Sequence, residues 1–94
     1  MNKQVRLIKE DEKGKTYQAH DFKIMYRYKG TISGDNSINP EELIYLIDGK
    51  AEFTLNGESW VVTAPSMVFF PAKTYHKIYA ISDISFIITN NKQL

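Results

Sequence analysis

Ile47-Asp48-Gly49-Lys50-Ala51-Glu52-Phe53-Thr54-Leu55-Asn56-Gly57-Glu58 is the stretch that decides the fold class. Two tight-turn dipeptides, Asp48-Gly49 and Asn56-Gly57, bracket six residues that alternate strictly. Ala51, Phe53 and Leu55 point one way and Lys50, Glu52 and Thr54 the other, the period of a strand with one buried and one wet face. The dipeptides mark its ends because glycine, and to a lesser degree asparagine and aspartate, tolerate the positive φ that tight turns need.

The same reading extends in both directions. Downstream, Glu58–Thr63 is followed by a break at Ala64-Pro65-Ser66. Met67-Val68-Phe69-Phe70 is apolar on both faces and is predicted to be buried on both sides, with Pro71 stopping it. Tyr75–Ile81 and Ile84–Thr89 read as two further strands joined at Ser82-Asp83. Upstream, Phe22, Ile24, Tyr26 and Tyr28 alternate with Lys23, Met25, Arg27 and Lys29, which places the two tyrosines on the inward face. No segment shows a sustained helical period. Six to eight short strands with regular turn signals predict an antiparallel sandwich or barrel, and 94 residues make it a single domain, with residues 1–20 as an N-terminal extension or edge strand.

Composition removes several classes of function. The chain has no cysteine, which excludes disulfides, thiolate metal sites and cysteine nucleophiles. Its net charge of +1 offers no general attraction to nucleic acid or to an anionic membrane. Apolar runs reach about five residues, where a membrane-spanning helix needs roughly 20. The first residues lack the apolar core of a secretory signal, so the expected location is cytoplasmic. Charge is uneven, with a surplus of +4 over residues 1–30 and −3 over the remainder. The basic third is interleaved with Glu10-Asp11-Glu12 and carries no recognition motif, so it reads as solvated strand faces. His20, beside Asp21, reads as a surface residue. No serine sits in a nucleophile elbow, and the five glycines are scattered rather than gathered into a phosphate-binding loop.

The segment Glu41-Glu42-Leu43-Ile44-Tyr45-Leu46-Ile47-Asp48-Gly49 resembles the first motif of the cupin family, in which a glutamate is followed by six residues and a glycine, here Glu42 and Gly49. The segment Pro71-Ala72-Lys73-Thr74-Tyr75-His76 resembles the second, a proline and a histidine separated by four residues. The resemblance covers residues 36–80 and implies an all-β antiparallel jelly roll, or double-stranded β-helix barrel. It also implies up to four metal ligands, of which only Glu42 and His76 are present. The places of the usual histidine pair fall on Asn36 and Ile38 or on Asp35 and Ser37, the opening glycine-aspartate of the second motif reads Ser66-Met67, and its later glycine is Lys73.

Two ligands are fewer than the three of a catalytic zinc or facial iron site, unless Asp35 or Asn36 completes an oxygen-rich set. The expectation is therefore a cavity without a tightly bound cofactor, the alternative being a divalent metal (Fe, Mn, Ni or Zn) held by Glu42 and His76. Strand parity puts Ile44 and Leu46 on the face of Glu42, and Ile78 and Ala80 on the face of His76. A small-molecule ligand is expected among Glu42, His76, Tyr26, Tyr28, Ile44, Leu46 and Ile78. In the enzyme alternative, of the isomerase or dioxygenase kind known among cupins, Glu42 and His76 are the catalytic pair. An inward glutamate beside apolar neighbours should have a raised pKa, which suits acid–base work. A purely structural dimer with a filled barrel is the third reading. Tyr45, Tyr75 and Tyr79 fall on the outward parity, and with Trp60 as a core or interface anchor they suggest a homodimer.

Overall fold

In the computed structural model, which describes residues 4–90 apart from the side chains of residues 35–39 and 90, the described residues form ten strands and no helix. They are β1 (Arg6–Asp11), β2 (Gly14–Gln18), β3 (Phe22–Arg27), β4 (Ile32–Asn39), β5 (Glu42–Asp48), β6 (Lys50–Leu55), β7 (Glu58–Thr63), β8 (Ser66–Phe70), β9 (Thr74–Ala80) and β10 (Ile84–Asn90). Two antiparallel sheets result, in the orders β1-β2-β3-β10-β5-β8 and β4-β9-β6-β7. The class is the expected all-β antiparallel one, with more strands than the turn signals suggested.

The core lies between the sheets. The larger sheet contributes Ile44, Leu46, Val68, Phe70, Ile84 and Phe86, and the smaller one Ala51, Phe53, Val62, Ile78 and Ala80. Alternation puts these residues inside, since every second side chain of a strand shares a face. Phe53 is fully buried, with its ring 5.8 Å from that of Phe70 and stacked on Trp60 at 6.2 Å. Truncating such an aromatic costs about 3–5 kcal/mol, because the cavity left behind adds to the lost transfer energy.

The two turn dipeptides act differently. Asn56 (φ 48°) and Gly57 (φ 86°) are both left-handed, the requirement of a two-residue hairpin turn, and they join β6 to β7. Asp48-Gly49 is a corner instead. Strand β5 pairs with β10 and β8 in the larger sheet, whereas β6 lies in the smaller, so the chain changes sheets there. Gly49 has φ 92°, and a Cβ on it would collide with the Asp83 carbonyl oxygen.

Strand β8 corrects an expectation. Met67 and Phe69 are 58% and 46% exposed, because they lie on the outer face of the larger sheet, which no described residue covers; Ile47 on the interior strand β5 is exposed in the same way. The N-terminal residues form the β1–β2 hairpin on the edge opposite β8. A register shift between Leu7 and Lys9 adds a residue to β1. Leu7 therefore pairs with Tyr17 and Lys9 with Thr16, although residues two apart in a regular strand share a face. Lys9 and Asp11 thereby fall on the cavity side of the sheet, Lys9 remaining exposed at the rim.

Candidate functional site

A cavity of about 250 Å³ lies between the sheets, open on one side. Its deep wall carries Glu42 at the start of β5 and His76 on β9, with His76 Nε2 3.5 Å from Glu42 Oε1. Both are largely withdrawn from water, their side chains 17% and 5% exposed respectively. The His76 ring lies nearly parallel to Phe70, with centroids 4.1 Å apart and planes 7° from coplanar. Gly34 flanks the ring from β4, and a Cβ there would come within 3.3 Å of His76 Cδ2.

An ion pair at this separation would raise the imidazole pKa and lower the carboxyl pKa. Burial acts in the opposite sense on each. It pushes the Glu42 carboxyl above its ordinary value, with Lys23 pulling modestly back, and it pushes the His76 imidazole below its own. We favour the direction set by burial, because 3.5 Å is too long for a strong charge-assisted hydrogen bond and desolvation acts on both groups at once. Burial thus favours the uncharged form of each group, the carboxylic acid of Glu42 and the neutral imidazole of His76.

The remaining wall is apolar, formed by Met25, Ile44, Ile78, Phe86 and Ile88. The mouth is charged, with Lys9, Asp11, Lys13 and Arg27. The half-buried Arg27 guanidinium donates from Nε to Ser33 Oγ (3.3 Å) and from Nη2 to Thr16 Oγ1 (3.0 Å). Its Nη1 donates to the carbonyl oxygens of Lys15 (3.0 Å) and Tyr26 (2.9 Å). Burial pulls its pKa down and Asp11 pulls it up, yet a guanidinium stays protonated in a protein. Asp11 accepts the Lys13 backbone N–H at 2.9 Å, which holds its carboxyl below the ordinary value, and lies 3.6 Å from Lys9 Nζ.

The structure brings Glu42, His76, Ile44 and Ile78 together on the cavity wall. Leu46 shares their face but lies deeper, 1% exposed in the core, and does not line the cavity. Tyr26 and Tyr28 are corrected. They are 46% and 45% exposed, and Tyr26 packs edge-on against Tyr17 on the outer face, with centroids 5.8 Å apart. The inward face of β3 is the other parity, Met25 and Arg27, because Met25 pairs with the buried Phe86 of β10. His20 is exposed, as read from sequence. Tyr45, Tyr75 and Tyr79 are exposed on the outward parity.

Sequence reasoning missed Lys9, Lys13, Arg27, Met25, Phe86 and Ile88 as lining residues. The +4 surplus over residues 1–30 was the available signal for the cations. Among the described residues, no group of three or more His, Cys, Asp or Glu is arranged to hold a metal ion. Glu42 and His76 offer two donors, short of the three that catalytic zinc or facial iron sites use, so the described donor set does not fit such a centre. The side chains of Asp35, Asn36, Ser37 and Ile38 lie outside the described residues.

The Cupin domain family model matches residues 27–89. No curated protein sequence matches the chain. Among solved structures, a conserved protein of unknown function from Streptococcus pyogenes is 23% identical with a TM-score of 0.63, over 82% of this chain and 72% of that one. A capsular polysaccharide assembling protein from Staphylococcus aureus is 14% identical with a TM-score of 0.73, over 95% of this chain and 28% of that one. A cupin superfamily protein from Desulfitobacterium hafniense is 12% identical with a TM-score of 0.66, over 95% and 77%. At these identities the likeness is one of fold.

Proposed function

The chain belongs to the cupin domain family, and on that premise we propose that it binds a small molecule in its cavity without a tightly bound metal. One observation carries this reading: Glu42 and His76 converge with Ile44, Ile78, Met25, Phe86 and Ile88 on one open cavity. An apolar wall with a few convergent polar groups is the usual make-up of a small-molecule site. Fold alone does not choose the ligand. The test is a thermal-shift screen of small metabolites against the wild-type chain and Ile88→Trp, whose indole would fill the cavity. A ligand that binds the native state raises Tm, by about 2.7 kcal/mol of stabilisation at a hundredfold excess over Kd. Shifts present in the wild type and absent in Ile88→Trp support the reading; a screen without shifts favours the filled structural module.

The metal-free part of the proposal has its own measurement, the metal content of protein purified without chelator. Substoichiometric metal, unchanged in Glu42→Ala and His76→Ala, agrees with it. Near-stoichiometric iron, manganese, nickel or zinc that both variants lose would replace it with a metalloenzyme.

A second reading is favoured by the poise of the Glu42–His76 pair. A buried carboxyl shifted up beside an imidazole shifted down can exchange one proton with a bound substrate, which is acid–base catalysis of an isomerase or lyase kind. Glu42 would donate or take up the proton, and His76 would orient it. Such turnover should show a pH inflection that Glu42→Gln removes; an unchanged profile would take Glu42 out of that role.

The homodimer is also a proposal. Leu7, Tyr17, Ile24, Ile87, Tyr45 and Met67 stand in register across all six strands of the larger sheet, an uncharged row on its outer face. A two-fold axis would set this row against its own copy without charge repulsion. Light scattering of the wild type and Met67→Asp tests it, with dimer expected for the first and monomer for the second.

A further inference from the structure

The cavity mouth carries an excess of cations that the deep wall does not answer. Lys9, Lys13 and Arg27 line it against one carboxylate, Asp11. Asp11 lies beside Lys9, and among the described residues no carboxylate lies within ion-pair distance of Arg27 or of Lys13. The hydrogen-bond partners of Arg27 are two hydroxyls and two backbone carbonyls, all neutral, and the carboxylate that acts on its charge is Asp11, which Arg27 shares with Lys9. Those four contacts fix the plane of the guanidinium and use four of its five N–H donors, leaving one donor and a full positive charge. A half-buried guanidinium held this rigidly loses little side-chain entropy when an anion arrives, which is the advantage of a preorganised site.

Resting on the small-molecule reading above, we propose that the cavity selects a small organic carboxylate. Its anionic head sits at the mouth against Arg27, with Lys9 and Lys13 beside it, and its apolar body lies between Met25, Ile88 and Phe86. Arg27 is the specificity-determining residue. The volume, about 250 Å³, equals the liquid volume of roughly eight water molecules and sets the ligand's size. The apolar wall offers little to a polyhydroxylated body, whose hydroxyls would be buried without partners. That argues for a short aliphatic or aromatic acid over a sugar phosphate. The far end of such a ligand would approach the Glu42–His76 pair.

Hexanoate has about the required number of non-hydrogen atoms, and hexanamide is its neutral counterpart. Calorimetric titration of the full chain with each, and with inorganic phosphate, tests the proposal. Hexanoate is expected to bind more than tenfold tighter than hexanamide, and Arg27→Met to weaken hexanoate about tenfold while leaving hexanamide within twofold, since a hydrogen bond to a charged group contributes that much or more. Equal binding of hexanoate and hexanamide would overturn carboxylate selection while leaving the cavity reading intact. Hexanoate affinity unchanged in Arg27→Met would also overturn it, as would no hexanoate binding at all. Phosphate binding tighter than hexanoate would reassign the mouth to phosphorylated ligands. Should Arg27→Met fail to fold, the exposed Lys13→Gln decides in its place. Hexanoate weakened about threefold supports the proposal and unchanged affinity sinks it.

Discussion

Glu42 and His76, on the deep wall of the cavity, face each other at 3.5 Å, whereas Lys9, Lys13 and Arg27 outnumber Asp11, the carboxylate that lines the mouth with them. The wall is dry and the mouth is wet, as the side-chain exposures of 5% for His76 and 68% for Lys9 indicate. In the dry region each group's pKa is set by burial, and substitution should alter stability as much as binding. At the exposed Lys9 and Lys13 charge is screened, substitution should leave stability nearly untouched, and the consequence should appear in ligand affinity, whereas the half-buried Arg27 also carries four hydrogen bonds. The two regions differ in part in where they come from along the chain. Glu42, Ile44, His76, Ile78, Phe86 and Ile88 of the wall lie within the family match over residues 27–89, as does Arg27 of the mouth, while Lys9, Asp11 and Lys13 come from the hairpin that precedes it.

The largest expected effect lies in the wall. His76→Ala removes a ring packed between Phe70 and Gly34 and leaves Glu42 beside an empty space. A loss of about 2–4 kcal/mol is expected, read from the urea midpoint at constant m-value. A loss below about 0.5 kcal/mol would erase the distinction between the regions, because that is what a surface substitution costs.

The pH profile sharpens the comparison next. Glu42 has its folded pKa raised above the ordinary 4.5, so its contribution to stability is fully present below pH 4.5 and is lost as pH rises through the folded value. His76 has its folded pKa lowered below 6.5, so its contribution is fully present above pH 6.5 and is lost as pH falls through the folded value. The two groups therefore tilt the curve in opposite directions. Glu42→Gln should remove the decline on the alkaline side, and His76→Gln the decline on the acid side. Tm measured from pH 4 to 8 checks both. A Glu42→Gln curve parallel to the wild type would mean that the carboxyl is not buried.

The smallest effect belongs to the mouth. Lys13→Gln should leave Tm unchanged to within about 0.5 kcal/mol of stability. Any weakening of hexanoate in this variant should fade in high salt, because screened surface charge is what was removed. A Lys13→Gln protein that unfolds early would show the mouth to be part of the packing after all.

Much of the wall was legible in sequence. Glu42 and His76 came from the resemblance to the two cupin motifs, whereas the placing of Ile44 on the face of Glu42 and of Ile78 on the face of His76 follows from the period of two. Leu46 obeys the same parity yet belongs to the core, because parity fixes the face of a residue and not its depth. Strand β3 is where parity failed. Phe22, Ile24, Tyr26 and Tyr28 look like the buried set, but Met25 and Arg27 face inward. Both faces of that strand are partly apolar, so alternation offered two answers and pairing with Phe86 on β10 chose between them. Met67 and Phe69 taught a related lesson, since an apolar run has the same appearance in a sheet with one bare face as in one covered on both.

By itself the sequence determined the all-β class, the hairpin at Asn56-Gly57, and which residues of β5 and of β9 share a face. These depend on short-range rules, positive φ at a turn and alternation along a strand, which act within a few residues. Only the tertiary structure decided that Asp48-Gly49 is a corner between sheets, that Arg27 rather than Tyr26 faces the cavity, and that a register shift in β1 puts Lys9 and Asp11 on the cavity side. Each of those outcomes depends on which strand lies alongside and in what register. A displacement of one residue exchanges the two faces of a strand, and that choice is made by contacts between residues far apart in the chain.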